Sequence, residues 1–504
     1  MPIMKVITCE RKPRTAAIAT ITAPRCRMLL PCLCQASILA MTCLSSGEKK
    51  GVCGAGVVGQ SISESLAKED IEVTVIDESE EAIKKISDTL DVKAIVGAAS
   101  SPSILEKAGA RDCEILIAVT KSDETNMVAC QIGYSLFNIP TKIARIRQQD
   151  YLKAEWANLY NKENLPIDYI ISPENEVAKA IYRRLHAPGA IDVLELADNR
   201  LKLIGLKCEE NCPLLNISLR KLSEKYNNVL ANVLLVIRDD KKFVADSNST
   251  LEKNDIVYFV VDNENFHEAI KAFGHEETES QRVVIVGGGN IGYALSKRIE
   301  EEDKNVTTSL IEYDKNRSHF LASNLKKVTV INGDALENNI LEEVNISNTG
   351  NLISITNDDE VNILSSLLAK KAGAQTCMTL VNNSSYTSLL NNIGIDIIID
   401  PRQITISTIL EKVRRGRIRS IYTIGDGFGE IIEAEILETS AFANKKLKDM
   451  KLPKNIRVGA LLRNKEIIIP TSKTVFEIND DVVFFSDTNS IKKLETLLSI
   501  IPKY

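Results

Sequence analysis

Two glycine fingerprints of the same spacing, Gly54-Ala55-Gly56-Val57-Val58-Gly59 and Gly287-Gly288-Gly289-Asn290-Ile291-Gly292, stand 233 residues apart in a chain of 504 residues. In such a run the first glycine permits a tight turn, the second lets the backbone approach a phosphate, and the third lets a helix pack on the preceding strand. The helix that follows presents unpaired N–H groups and the positive end of its dipole. Asp77 and Glu312 lie 18 and 20 residues beyond the last glycine, where an acid accepts from ribose hydroxyls and repels a 2′-phosphate. A lone fingerprint is as readily a structural turn as a ligand site; two copies with the acid in place point to nucleotide binding.

The rest of the chain keeps the same register. Asp77 recurs as Glu312 after 235 residues, and Thr120, Asp123, Glu124 and Asn126 recur as Thr356, Asp359, Glu360 and Asn362 after 236. This is an internal duplication. Within each copy, short apolar runs such as 73–76 and 115–119, or 283–286 and 352–355, alternate with helical patterns, which predicts a parallel sheet covered on both faces. Each sheet gives way at Ile171-Ser172-Pro173 or Ile399-Asp400-Pro401 to a helix, with proline in its first turn. A smaller unit follows, with a hairpin at 233–241 or 458–466 and a final strand at 256–261 or 482–485. The expected fold class is therefore α/β: two Rossmann-like parallel-sheet lobes, each followed by a small α+β lobe. The boundaries fall at 1–50 for an N-terminal extension, 51–170 and 171–275 for the first repeat, and 281–400 and 401–504 for the second, with 274–281 as linker.

The formal net charge of −6 argues against a nucleic-acid partner. Of eleven cysteines, five precede residue 50; Cys208 and Cys212 are the close pair among the rest, without a second pair or a histidine to complete a metal site. The first 50 residues are basic, acid-poor and Cys-rich, and read as an upstream extension in preference to a targeting segment or an anchor. Neither a Ser/His/Asp set nor a phosphate-loop lysine is present, and none of His186, His267, His275 and His319 falls at a strand end where it could serve a nicotinamide. The sites are built to bind rather than to react, so no catalytic residue is assigned. Asp123-Glu124 and Asp359-Glu360 read equally as helix caps and as ligand contacts.

The first copy is the less regular. Of the residues before Gly54, only Val52 and Cys53 are apolar, so its opening strand reads as nearly missing, and Gly97-Ala98-Ala99 carries no acid. If one site dominates, the second is expected to be that site.

The segments Ala118–Gln131, Ile143-Ala144-Arg145-Ile146-Arg147, Val286–Gly292 and Thr356–Glu360, in this domain order, resemble the TrkA family, regulatory subunits of Trk potassium uptake systems built from tandem RCK (KTN) units. The match runs from about Gly51 to the end. The resemblance implies a cytoplasmic, non-catalytic protein, peripheral on the inner membrane face. Its partner would be a membrane potassium-translocating subunit, and it would form a homo-oligomer, a dimer making a four-unit ring. It would bind NAD(H), or ATP and ADP. The candidate contacts are Gly54, Gly56, Val57, Val58, Gly59, Asp77 and Thr120 in the first copy, and Gly287, Gly289, Asn290, Ile291, Gly292, Glu312, Gly333, Asp334 and Thr356 in the second. Gly333-Asp334 matches the family's Gly-Asp after the third strand. An NAD-dependent oxidoreductase and a stand-alone nucleotide sensor are the alternatives.

Overall fold

The computed structural model describes residues 49–498, apart from 69–70, 188, 222–230, 240, 276–281, 384, 387–389, 391–392, 414–417 and 425–427. The reading of the N-terminal extension, most of the inter-repeat linker and the helix ends near 188 and 416 fall outside those residues.

The first lobe alternates β1 (Lys49–Cys53), α1 (Val57–Lys68), β2 (Glu72–Asp77), α2 (Glu80–Thr89), β3 (Lys93–Val96), α3 (Pro102–Lys107), β4 (Ile115–Ala118), α4 (Asp123–Phe137), β5 (Thr141–Arg145) and β6 (Tyr169–Ile171). Its strands are parallel and ordered β3-β2-β1-β4-β5-β6. The order reverses between β1 and β4, which opens a crevice at their carboxyl ends. Helix α5 (Pro173–Leu185) then leads to β7 (Ala190–Leu196), β8 (Leu201–Lys207), β9 (Ala231–Arg238), β10 (Lys241–Val244), β11 (Ile256–Asp262) and α6 (Phe266–Ala272). These five strands form an antiparallel sheet, β10-β9-β11-β8-β7.

The second repeat runs β12 (Arg282–Val286), α7 (Asn290–Glu302), β13 (Thr307–Glu312), α8 (Lys315–Asn324), β14 (Thr329–Asn332), α9 (Asn338–Glu343), β15 (Asn351–Ser354), α10 (Asp359–Lys371), β16 (Thr376–Leu380), β17 (Ile397–Ile399) and α11 (Pro401–Val413). Its small lobe holds β18 (Ile418–Ile424), β19 (Gly429–Glu435), β20 (Ile456–Arg463), β21 (Glu466–Ile468), β22 (Asp481–Asp487) and α12 (Ile491–Leu498). Both sheets repeat the strand orders of the first half, β14-β13-β12-β15-β16-β17 and β18-β19-β22-β20-β21.

Strand β1 corrects the expectation that it is nearly missing: it has five residues and pairs in parallel with both β2 and β4. Backbone pairing does not require apolar side chains at every position. Lys49 reaches out to Glu72 at 3.6 Å, Lys50 is buried, and Gly51 adds no bulk where a Cβ would touch Leu116 and Cys113.

The repeats are interlocked. Val177, Ala178, Ile181 and Leu185 of α5 are buried in one core with Val283, Ile285, Leu295 and Ile353 of the second lobe. Reciprocally, Ile406, Ile409, Leu410 and Val413 of α11 complete the first lobe's core with Val52, Ile62, Val75 and Ile117. Each helix follows one sheet and covers the other. A buried Ile or Leu contributes about 1.5–3 kcal/mol, so the exchange binds the two lobes together. The small lobes also share a core, in which Leu203, Leu234 and Val260 meet Ile431, Ala460 and Phe485. Asn232 Nδ2 donates across it to the carbonyls of Val458 and Gly459, both at 3.0 Å.

Candidate functional site

The glycine turns have one geometry in both repeats. Gly54 and Gly287 hold φ of 114° and 100°, a region open to glycine and strained for other residues. A Cβ on Gly56 or Gly289 would meet nothing within 4 Å, whereas one on Gly59 or Gly292 would lie 1.8 or 2.0 Å from the carbonyl oxygen of Gly54 or Gly287. The middle glycine therefore faces open space in front of the helix N-terminus, and the last one is there for packing. The acid after the second strand is fixed in front of each turn. Asp77 accepts from the N–H groups of Ala55 (2.6 Å) and Ser79 (2.9 Å), and Glu312 from those of Gly288 (2.7 Å) and Asp314 (2.8 Å).

Across the crevice, Asn126 and Asn362 lock the opposite loop. Each carboxamide oxygen accepts from the N–H and the hydroxyl of Thr120 or Thr356, at 2.7–2.9 Å. Each amide donates onward to the carbonyl of Arg145 (2.9 Å) or Leu380 (3.0 Å), which makes those two residues equivalents. Asp123 and Asp359 are neither caps nor crevice ligands: Asp123 accepts from the N–H groups of Arg147 and Gln148, and Asp359 from those of Asn382 and Asn383. The caps are Ser122 and Asp358. The repeated Thr–Asp–Asn pattern is thus a clamp on the loop after the fifth strand.

At the second lobe's sheet edge these loops surround a cleft of about 870 Å³, within the usual range for a small-molecule site. Gly287, Gly289, Asn290, Ile291, Glu312, Gly333, Asp334 and Thr356 line it. Gly292 lies behind the turn, packed on Gly287. In the first lobe, Gly54 abuts Thr120, a Cβ on it falling 3.0 Å from the Thr120 nitrogen, and Asp77 closes the other side of the turn. Val57 is exposed there. Val58, placed in the first site by the sequence, lines the second lobe's cleft instead.

Val58 is not alone in crossing over. Arg145, Arg147, Pro173, Glu174 and Val177 of the first repeat also line the second lobe's cleft, beside Arg402 of α11. Arg147 Nε donates to Glu174 Oε1 at 3.0 Å. The Arg145 guanidinium donates to the Thr120 carbonyl at 2.8 Å. Burial, and then neighbouring Arg147, pull Arg145 below the usual arginine range. Bonding capacity remains at this junction: Arg145 Nε, Arg402 Nε and Glu174 Oε2 are buried without a hydrogen-bond partner. Unmet buried polar groups are costly, and three arginines against one carboxylate leave a net positive wall. At the opposite end, Tyr313 is 79 % exposed beside Glu312, and Arg317 donates to the carbonyls of Gly288 (2.7 Å) and Gly289 (3.2 Å).

Sequence reasoning assigned no role to Glu174, Arg317 or Arg402, and quoted Arg145 and Arg147 only as part of a resemblance. The available signal was Arg145-Ile146-Arg147 itself: two cations on one face of a strand end, where the second repeat has Leu380 and Asn382.

The TrkA-N domain model matches residues 51–173 and 283–401, and the TrkA-C domain model matches 431–499. The chain is 41 % identical over 449 residues to the Trk system potassium uptake protein TrkA of Azorhizobium caulinodans, covering 89 % of this chain and 98 % of that one. It is 37 % identical over 450 residues to the protein of the same name from Haemophilus influenzae, covering 88 % and 97 %. Among solved structures, it is similar in fold to the GsuK channel bound to NAD, with a TM-score of 0.56 at 14 % identity over 90 % of this chain and 79 % of that one. Among the described residues, no helix is long and apolar enough to cross a membrane.

Proposed function

We propose, because this chain belongs to the TrkA family of Trk system potassium uptake proteins, that it is the nucleotide-binding regulatory subunit of such a system. It binds NAD(H), or ATP and ADP, and sets the state of a membrane potassium-translocating subunit from the cytoplasmic side. The observation that carries this reading is the cleft of the second lobe, whose walls come from both repeats.

The residues present fit an adenine nucleotide. The open space in front of Gly289 admits a phosphate against the α7 N-terminus. Glu312 and Asp334 stand at the ribose and base end, and Arg145, Arg147 and Arg402 at the far end receive the second phosphate-bearing half. The bound nucleotide supplies the charge that these arginines otherwise lack. A ligand shifts an equilibrium only through its different affinity for two arrangements. One that touches the Gly289 turn and the Arg147 wall at once has that property, because its affinity depends on how the repeats are set against each other. Coupling of about 1–3 kcal/mol per site is typical, and a ring of several such sites adds up to a usable bias.

The lining contains no His, Lys or Cys, and its phenol, Tyr313, stands at the ribose end beside Glu312. This supports binding without turnover over the oxidoreductase alternative. Calorimetric titration of the full chain with NADH, NAD, ATP and ADP tests the binding, and potassium flux through a co-reconstituted membrane subunit tests the gating. Binding without any nucleotide effect on flux would leave the stand-alone sensor as the better reading, and steady NADH consumption would favour the enzyme.

A further inference from the structure

Cys208 and Cys212 lie in the turn that leaves β8, at the first small lobe's junction with the chain leading to the second repeat. Both are buried, 0 % and 4 % exposed, beneath a single layer of exposed turn residues that includes Glu210 and Asn211. Their thiols share a hydrogen bond. Cys212 Sγ also accepts from the Leu214 N–H.

The second repeat shows what this turn needs. Cys208 N–H donates to Asp255 O (2.7 Å) and Asn254 N–H to Cys208 O (2.8 Å); Ile436 N–H donates to Asp480 O (2.8 Å) and Asn479 N–H to Ile436 O (2.7 Å). Cys212 N–H donates to Glu209 O (3.1 Å) and Leu215 N–H to Cys212 O (3.3 Å); Ser440 N–H donates to Leu437 O (2.9 Å) and Ala443 N–H to Ser440 O (3.2 Å). Ile436 and Ser440 thus build the same turn with no sulfur. The fold does not require two thiols, and the pair sits where its chemistry bears on the junction. A Cβ on Gly274, just after α6, would lie 3.2 Å from Asn211 O, Cys212 Cα and Pro213 Cδ, and His275 Nε2 is 3.2 Å from Lys207 O.

We propose that Cys208 and Cys212 form a redox-active dithiol, oxidised by a low-molecular-weight disulfide to an intramolecular disulfide within this turn. Cys212 reacts first. Two donors stabilise its thiolate and hold its pKa down, whereas Cys208, as the donor within the pair, is held up. The Cys212 thiolate attacks one sulfur of the oxidant, whose S–S bond breaks and releases one thiolate, leaving a mixed disulfide. Cys208 then loses its proton and attacks Cys212 Sγ, and the mixed S–S bond breaks to release the second small thiol. The protein gives up two electrons and the oxidant becomes two thiols. The buried Cys53, Cys113 and Cys377, whose pKa values burial raises, have no such partner. Intracellular disulfides of this kind are transient and sensing rather than structural.

The test incubates the reduced full chain with oxidised glutathione, then alkylates it in denaturant. Both cysteines fall in one tryptic peptide, 208–220. The expected product is that peptide two hydrogens lighter and unalkylated, while Cys53, Cys113 and Cys377 are alkylated. Cys208→Ser should retain glutathione on Cys212, and Cys212→Ser should leave Cys208 alkylatable. The variant C208I/C212S, which imports the second repeat's residues, should keep the wild-type melting temperature. Full alkylation of the 208–220 peptide after oxidation, at the same rate as Cys53, would overturn the proposal. So would loss of folding in C208I/C212S, which would make the pair structural.

Discussion

The two parallel-sheet lobes share strand order, glycine turn, fixed acid and Thr–Asn lock, and differ in what stands around that frame. After its fifth strand the first lobe carries Arg145 and Arg147, and the second carries Leu380 and Asn382. Arg145 reaches the Thr120 carbonyl of its own lobe and lines the other lobe's cleft at the same time. At the ribose corner the first lobe has Glu78, Glu80 and Glu81 behind its acid, and the second has Tyr313, Lys315 and Arg317. Duplication preserved the scaffold, while a few side chains let one copy complete the binding site of the other.

That comparison can be broken at several points. The largest effect is expected from Ile181→Ala. Removing this fully buried side chain should cost about 2–5 kcal/mol, and the loss should appear in the second sheet although the residue belongs to the first repeat. Hydrogen exchange along β12 and β15 reads it, and loosening confined to the first sheet would deny the helix exchange. Next is Gly289→Asp, which fills the open approach and sets a carboxylate against the phosphate. Losing hydrogen bonds to a charged group, at about 1.5–3 kcal/mol each, predicts a fall of about 100-fold or more in nucleotide affinity at the second site. The same change at Gly56 should leave that site intact, and calorimetric stoichiometry separates the two outcomes.

Asn362→Ala comes third. It leaves the Thr356 N–H and the Leu380 carbonyl unpaired, for about 1–3 kcal/mol of stability, and a lower thermal midpoint with weaker binding checks it. The smallest effect is expected from Arg317→Ala. Its two bonds to the Gly288 and Gly289 carbonyls tether the turn from outside, so a loss of about 1 kcal/mol, several-fold in affinity, is expected.

Much of this was legible in the sequence because it is local. Gly287 through Gly292, Glu312 and the Thr356–Asn362 lock lie within single strand–loop–helix units whose chemistry requires those residue types at that spacing. Strand β1 was misread because residues 48–51 lack the apolar signature, although its backbone pairing on both sides suffices. Asp123 and Asp359 were misread because a helix start suggests a cap, while their partners, the N–H groups after the fifth strand, stand more than twenty residues away. What could not be read was which lobe each long-range surface meets. The pattern of Val177, Ile181 and Leu185 gives α5 an apolar face without saying which sheet it covers, and Arg145 and Arg147 sit in the first lobe's motif while facing the second lobe's cleft.

The most direct test of a site shared between the repeats is a calorimetric titration of NADH into the full chain carrying Gly56→Asp, with and without Arg147→Ala. In that background the first fingerprint is blocked, so the heat reports the second lobe's cleft. A bond from a guanidinium to a phosphate, worth about 1.5–3 kcal/mol, predicts that removing Arg147 weakens binding by about 10- to 100-fold although the residue lies in the other repeat. An unchanged affinity would mean that the second lobe binds its nucleotide alone, and the account of a site built from both repeats would fail.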